Sequence, residues 1–383
     1  MTDTAAPSSP TADAEFSNRL QASARALAEG RHAQGAEEAQ LAIERAQAAA
    51  LPPADLARAF HLLATHQWRL GLFEDAALTA RRALVLWQQL GDPGPACETH
   101  CLIATAFTEL GLHEEALRHA AAAFDLSRRH GLATREVEAL NRLGICHERL
   151  GDPERGEQYL LSALQQARAL GDEPAETMAL NNLAATGIGA YHLLTQRGEN
   201  ASAHAFLRRG RAHAEAVLQL VDRAADAYRQ CVVRGNLGEI LSLLGEFDLG
   251  EALLLQTLSV ARDRGYKAVE LRTRYNLGEL RMLQGRHDDA LIELHASLEA
   301  LRQNDHANTR MRVHRALHQS YKALGRFEPA LNHFEAYHAM EMQRLSLQAR
   351  AQARLMVNRQ DVDMALASAP TPFASAPMPL QRG

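Results

Sequence analysis

Between Val137 and Gly171 the chain reads VEALNRLGICHERLGDPERGEQYLLSALQQARALG. Leu140, Leu143, Gly144 and His147 recur at helical spacing in its first half. Gly151-Asp152-Pro153 then breaks the run, and Gly156, Leu160, Ala163 and Leu164 recur beyond it. The pattern predicts two short helices joined by a tight turn, with Gly144, Gly156 and Ala163 placed where two backbones must cross closely. A lone hairpin of this size cannot bury its apolar stripe, so it must stack on copies of itself.

The copies are present. A turn doublet stands at Leu70-Gly71, Leu110-Gly111, Leu150-Gly151, Leu244-Gly245, Gln284-Gly285 and Leu324-Gly325, in steps of 40, 40, 94, 40 and 40 residues. The small residue opening each second helix keeps the same ruler at Ala76, Ala116, Gly156, Gly250, Ala290 and Ala330. So does the closing glycine, at Gly91, Gly131, Gly171 and Gly265, with Asp305 at the next mark. A residue past a helix end is often left-handed, which suits glycine because it has no Cβ to clash. Three landmarks thus share one period of 40 and one slip of 14 residues.

Each unit pairs a large and a small residue in its first helix with a small residue twelve positions on, as in Leu63-Ala64 with Ala76 and Leu277-Gly278 with Ala290. That order resembles the tetratricopeptide repeat, from Ala57 to about Arg344. The usual repeat has about 34 residues. The extra six follow Ala83-Leu84 and Ala163-Leu164, and prolong the second helix by about two turns. This longer form resembles the repeats of kinesin light chains and the N-terminal sensory repeats of bacterial GGDEF diguanylate cyclases. The resemblance implies an all-α solenoid, a right-handed superhelix of about eight hairpins. Leu63, Ile103, Leu143, Leu183, Leu237, Leu277 and Leu317 are then expected to lie buried between helices.

Around this body the chain divides by composition. Residues 1–14, rich in Ala, Ser, Thr and Pro, are expected to be disordered. The solenoid spans 15–346, opening with a degenerate unit at 15–50. Units one to three follow, and units five to seven occupy 231–266, 271–306 and 311–346. Unit four, at 177–229, begins on register with Leu183-Ala184, but Tyr191 to Tyr228 shows no turn doublet and carries the slip. It reads as a first helix to about Leu194, a polar loop TQRGENAS and a second helix from about Ala203. A C-terminal helix is expected at 340–366, capping unit seven or pairing with a second copy as a homodimer. A Pro/Ala/Ser-rich tail at 367–383 reads as disordered.

The 383 residues carry a net charge of −5 with both signs interspersed, unlike the basic face of a nucleic-acid binder. No 18-residue apolar run suggests a membrane span, and MTDTAAPSSPTADAEF lacks the basic start and apolar core of a signal peptide. Cys97, Cys101, Cys146 and Cys231 fall inside predicted helices and read as reduced, buried thiols of a cytoplasmic protein. No phosphate-binding glycine loop, HExxH or GxSxG is present, and no cofactor is implied. His314 with His318, and Cys97 with His100 and Cys101, lack further ligands at useful spacing, so no metal is expected. The expected function is non-enzymatic.

In the tetratricopeptide resemblance, fixed positions of each first helix face a concave groove that holds a partner. Carried onto this sequence they give Trp68, Glu98, Glu138, Asn141, Asn181 and Asn182 in the first half. In the second half they give Asn236, Glu239, Arg272, Tyr275, Asn276, Glu279, Arg312 and Arg315. Asn182, Asn236 and Asn276 share one repeat position, with Asn141 and Asn181 one residue earlier. An amide offers both donors and an acceptor, so such a ladder suits the backbone of an extended peptide. It equally suits a tie between neighbouring helices. Trp68 and Tyr275 are the candidate apolar anchors. The expectation is a protein-interaction module that takes a peptide or helix of another protein in its groove. The other reading is a sensory or regulatory part related to the diguanylate cyclases, without the GGDEF output domain and acting in trans.

Overall fold

The computed structural model describes residues 10–223, 226–301 and 307–368. Among these described residues sixteen helices succeed one another. The leading unit is α1 (Pro10–Ala28) and α2 (His32–Ala48). Units one to three are α3 (Pro53–Arg69) with α4 (Phe73–Leu90), α5 (Pro93–Glu109) with α6 (His113–Arg129), and α7 (Ala133–Arg149) with α8 (Pro153–Leu170). Unit four is α9 (Glu173–Gln196) with α10 (Asn200–Arg223). Units five to seven are α11 (Ala227–Leu243) with α12 (Phe247–Asp263), α13 (Lys267–Leu283) with α14 (His287–Ala300), and α15 (Ala307–Ala323) with α16 (Phe327–Ser368). Each helix packs on the next, and first helices also touch first helices, α5 on α7, α7 on α9 and α11 on α13. This is the tetratricopeptide-type α-solenoid, with no strand among the described residues.

The sequence dictates these helices at their ends. Pro53, Pro93 and Pro153 open α3, α5 and α8, where a missing N–H costs nothing. Asp152, Asp172 and Asp226 cap α8, α9 and α11 by accepting from the backbone N–H three residues on, at 3.0–3.1 Å. The turn glycines, Gly151 at φ 85° among them, take the left-handed conformation at both ends of the hairpins.

The seven landmark aliphatics, Leu63 to Leu317, are all buried. The small residues do what their spacing implied. A Cβ on Gly144 would lie 2.5 Å from Leu160 Cγ and 2.9 Å from the Gly156 carbonyl. Cys97, Cys101, Cys146 and Cys231 are free and buried, and burial pushes the Cys97 and Cys146 thiols up to about 11.

Three expectations need correction. The turn of unit four is shorter than TQRGENAS: α9 and α10 run 24 residues each, and only Arg197, Gly198 and Glu199 separate them. Gly198, at φ 80°, stands midway between Gly151 and Gly245, 47 residues from each. The slip of 14 is therefore two additions of seven, one per helix. Seven residues are about two full turns, so each longer helix keeps the same face toward its neighbours. Residues 10–14 belong to α1 rather than to a disordered leader, and residues 1–9 lie outside the described part. The C-terminal helix is not a separate element. It is the end of α16, a helix of 42 residues that begins as the second helix of unit seven. Ala367 and Ser368, expected in the disordered tail, end α16, while Asp305 and residues 369–383 lie outside the described residues.

Beyond unit seven α16 returns to the start of the solenoid. Gln348 Nε2 donates to the Gly111 carbonyl at 2.8 Å, Arg354 pairs with Glu74 at 2.7 Å, and Ala351 is buried. The last helix thereby touches the turns of units one and two.

Candidate functional site

The first helices bring most of the predicted groove residues together, joined to one another. Asn182 Nδ2 donates to Asn141 Oδ1 at 3.2 Å, tying α9 to α7. Asn236 Nδ2 donates to Asn181 Oδ1 at 3.0 Å, tying α11 to α9. Asn276 Nδ2 donates to Glu239 Oε2 at 3.0 Å, tying α13 to α11. Asn141 also donates to its own helix at the Val137 carbonyl, 3.1 Å away. The repeat position therefore stitches successive first helices, and Asn276 Oδ1 is left buried without a partner among the described residues.

Glu98 and Glu138 do not stand free. Arg135, one turn before Glu138, pairs with Glu98 and lies 3.3 Å from Glu138 Oε2. The periodicity could not announce Arg135, because it lies off the repeat positions assigned to the groove. Trp68 stands apart from this ladder, half-buried against the N-terminal core under the Arg69 guanidinium, 4.7 Å from the ring centroid.

Toward the C-terminal end the groove carries a coupled cluster. The Tyr275 hydroxyl donates to Glu279, and the Arg312 guanidinium lies 4.5 Å over the Tyr275 ring. Arg312 also reaches Glu239 at 3.6 Å and Glu279 at 3.8 Å. Burial, with the neighbouring Glu239 charge, raises the Glu279 carboxyl above the usual range. Burial raises the Tyr275 phenol too, with Glu279 beside it. Arg312 is held protonated by Tyr275, Glu239 and Glu279 against the opposing effect of burial. Arg272 is spent on the scaffold: its Nη2 donates to the Val232 carbonyl at 3.0 Å, and burial lowers its pKa. Arg315 is exposed beside this cluster, where its charge acts on Glu279.

His192 was not foreseen. It lies in the two extra turns of α9, within the fields of Glu239, Arg312 and Arg315, and burial lowers its pKa. Its Nε2 is buried with no partner among the described residues. The longer helix of unit four thus adds a titratable group to the groove.

A cavity of about 510 Å³ opens between α7, α9 and α11. Val137, Ala175, Met178, Val232 and Val233 supply its apolar wall, while Glu138, Arg142, Asp172, Asn181 and Arg229 supply charge and hydrogen-bonding groups. Apolar walls with a few polar groups are the usual lining of a ligand-binding cavity.

His314 and His318 do not converge. His314 faces His333, Nδ1 to Nδ1 at 3.0 Å, while His318 donates from Nδ1 to the Ala330 carbonyl at 2.9 Å. Among the described residues no group of three or more His, Cys, Asp or Glu side chains is arranged to hold a metal ion. No described helix is long and apolar enough to cross a membrane.

Fold and groove together define a tetratricopeptide-type helical repeat protein. No family model matches the chain and no curated protein matches its sequence. Solved structures do match the fold. The apo form of the quorum sensor NprR from B. thuringiensis superposes with a TM-score of 0.62 at 14% identity, covering 85% of this chain and 87% of that one. A Rap protein complexed with competence and sporulation factor gives 0.59 at 12% identity, over 87% of this chain and 99% of that one. The Rap conjugation gene regulator of the plasmid pLS20, in complex with a peptide, gives 0.54 at 13% identity, over 77% and 76%. At such identities the likeness is one of fold.

Proposed function

We propose that the chain is a non-enzymatic interaction module whose groove binds a peptide segment of another protein. The observation that carries this reading is the cavity between α7, α9 and α11, apolar on its wall and edged by Glu138, Asn181 and Arg229. A buried side chain of the ligand would fill it, and the polar groups beside it would fix register. Two structural neighbours support the reading, one described in complex with competence and sporulation factor and one in complex with a peptide. The bonded asparagines set the spacing of the first helices, so in this reading the ladder shapes the groove that the ligand enters. Glu239, Glu279, Arg312 and Arg315 give the C-terminal end charges of both signs, which steer orientation more than they add affinity.

A displayed peptide library selected on the full chain tests the proposal. Selected peptides should share an apolar anchor and lose about tenfold or more in affinity for Met178→Arg, which fills the cavity with charge. Peptides that bind Met178→Arg as well as the parent, with both chains equally folded, would place the site elsewhere.

A further inference from the structure

The exposed side of α16 carries a second surface. Phe327, Leu331, Phe334, Met342 and Leu345 are 70%, 55%, 43%, 53% and 45% exposed. With His338 and Ala349, also exposed, they recur every three or four residues. At 1.5 Å per residue they form one straight stripe about 33 Å long. It is distinct from the face that docks on units one and two, which carries Gln348 and Ala351.

Charge along the same helix is divided. Between Phe327 and Arg354 its acidic residues, Glu328, Glu335 and Glu341, all precede Met342, and its arginines, Arg344, Arg350 and Arg354, all follow it. We propose that two copies of the chain associate through this stripe, their α16 helices antiparallel about a two-fold axis at His338, the middle of the stripe. A parallel pair would set acid against acid and arginine against arginine. The antiparallel pair sets Leu331 opposite Leu345 and Phe334 opposite Met342, and brings Arg350 beside Glu328. Helical spacing puts Glu328 and Arg350 on the same flank of the stripe, and in an antiparallel pair each flank meets its own copy. The apolar stripe supplies the affinity, since exposed ion pairs contribute little; the charges choose the direction.

Light scattering and sedimentation on the full chain across a concentration series test this. A concentration-dependent dimer is expected. Leu331→Glu with Leu345→Glu should abolish it, and the helical content and melting curve should stay unchanged because both side chains face water. Glu328→Arg or Arg350→Glu alone should weaken the dimer by about tenfold, and the two together should restore it. A chain monomeric at every concentration overturns the proposal, whether the stripe is bare or covered by its own residues 369–383. A dimer indifferent to the leucine changes overturns the surface. Failure of the double charge exchange to restore association overturns the antiparallel arrangement.

Discussion

In unit three Gly144 and Gly156 let α7 and α8 cross closely, and Leu160 sinks into the crossing with no exposure. In unit seven the place of Gly144 is taken by His318, and Phe334, at the place of Leu160, is left 43% exposed. The second helix of unit seven departs too, with Tyr337-His338 where unit three has Ala163-Leu164. The smallest residue in the crossing sets how closely the helices approach and hence whether the large ones reach the core. Interior and end differ along the groove too. Side-chain amides stitch α7 through α13, whereas α15 is joined across the groove by Arg312 reaching Glu239 and Glu279.

Removing the interior stitching should have the largest effect. Replacing Asn182, Asn236 and Asn276 together by Ala removes three separate inter-helix donors. At ~0.5–1.5 kcal/mol per bond, with more for the carboxylate partner of Asn276, the loss should total ~2–4 kcal/mol in denaturant unfolding. Arg312→Ala removes a half-exposed cation and should cost less than a third as much. If the triple variant melts with the parent, the ladder does not hold the interior together.

The glycine crossing comes next. Gly144→Leu overpacks against Leu160 and the Gly156 carbonyl and should cost ~1–3 kcal/mol. His318→Leu, at the same place in unit seven, should change stability by much less, because that crossing is already held open. Equal losses at both positions would mean that unit seven is packed as tightly as unit three.

Acid should separate the ends from the middle in a third way. His100 and His119 face each other in unit two, Nδ1 to Nδ1 at 3.0 Å, and His314 and His333 repeat the arrangement in unit seven. Burial lowers His100 to about 4 and His119 to about 3 from 6.5, and His333 to about 4. Below pH 6.5 the unfolded chain binds protons that these buried rings refuse. Stability present at neutral pH is therefore lost as pH falls from 6.5 toward 4. By pH 5 a well-buried ring such as His119 should account for up to ~2 kcal/mol of that loss, and the more exposed His333 for less. His119→Asn should flatten the pH dependence of the melting temperature more than His333→Asn.

Much of this architecture is legible in the residues. Glycines at Gly71, Gly111 and Gly151 mark turns because the left-handed backbone demands them, and Leu63 to Leu317 mark the core because one face of every first helix must be covered. The even division of unit four was hidden for a physical reason. Seven added residues complete two turns, so neither helix changes the periodicity that a reader follows, and Arg197-Gly198 falls on no multiple of 40. The groove was legible as a set of positions but not as a network. Whether Asn182 turns to a ligand or to Asn141 depends on a rotamer that sequence spacing does not specify. Arg135 and His192 lie off the repeated positions, one beside Glu138 and one on the added turns.

The smallest effect on stability is expected at His318 itself, and it sharpens the comparison most. The ring sits 5.3 Å from Phe334 and spends its Nδ1–H on the Ala330 carbonyl. His318→Ala restores the residue type that Ala64 and Ala104 provide in units one and two. It loses one hydrogen bond, worth ~1 kcal/mol. It also opens the crossing to Phe334, whose deeper burial should return a similar amount. The melting temperature should therefore hardly move. Self-association should move, because a Phe334 drawn into the crossing shortens the stripe on α16. A variant that melts with the parent but dimerises more weakly would tie the exposed stripe to the histidine that holds it out. If instead it melts clearly lower and dimerises unchanged, then His318 is a supporting residue of unit seven and Phe334 is exposed for another reason.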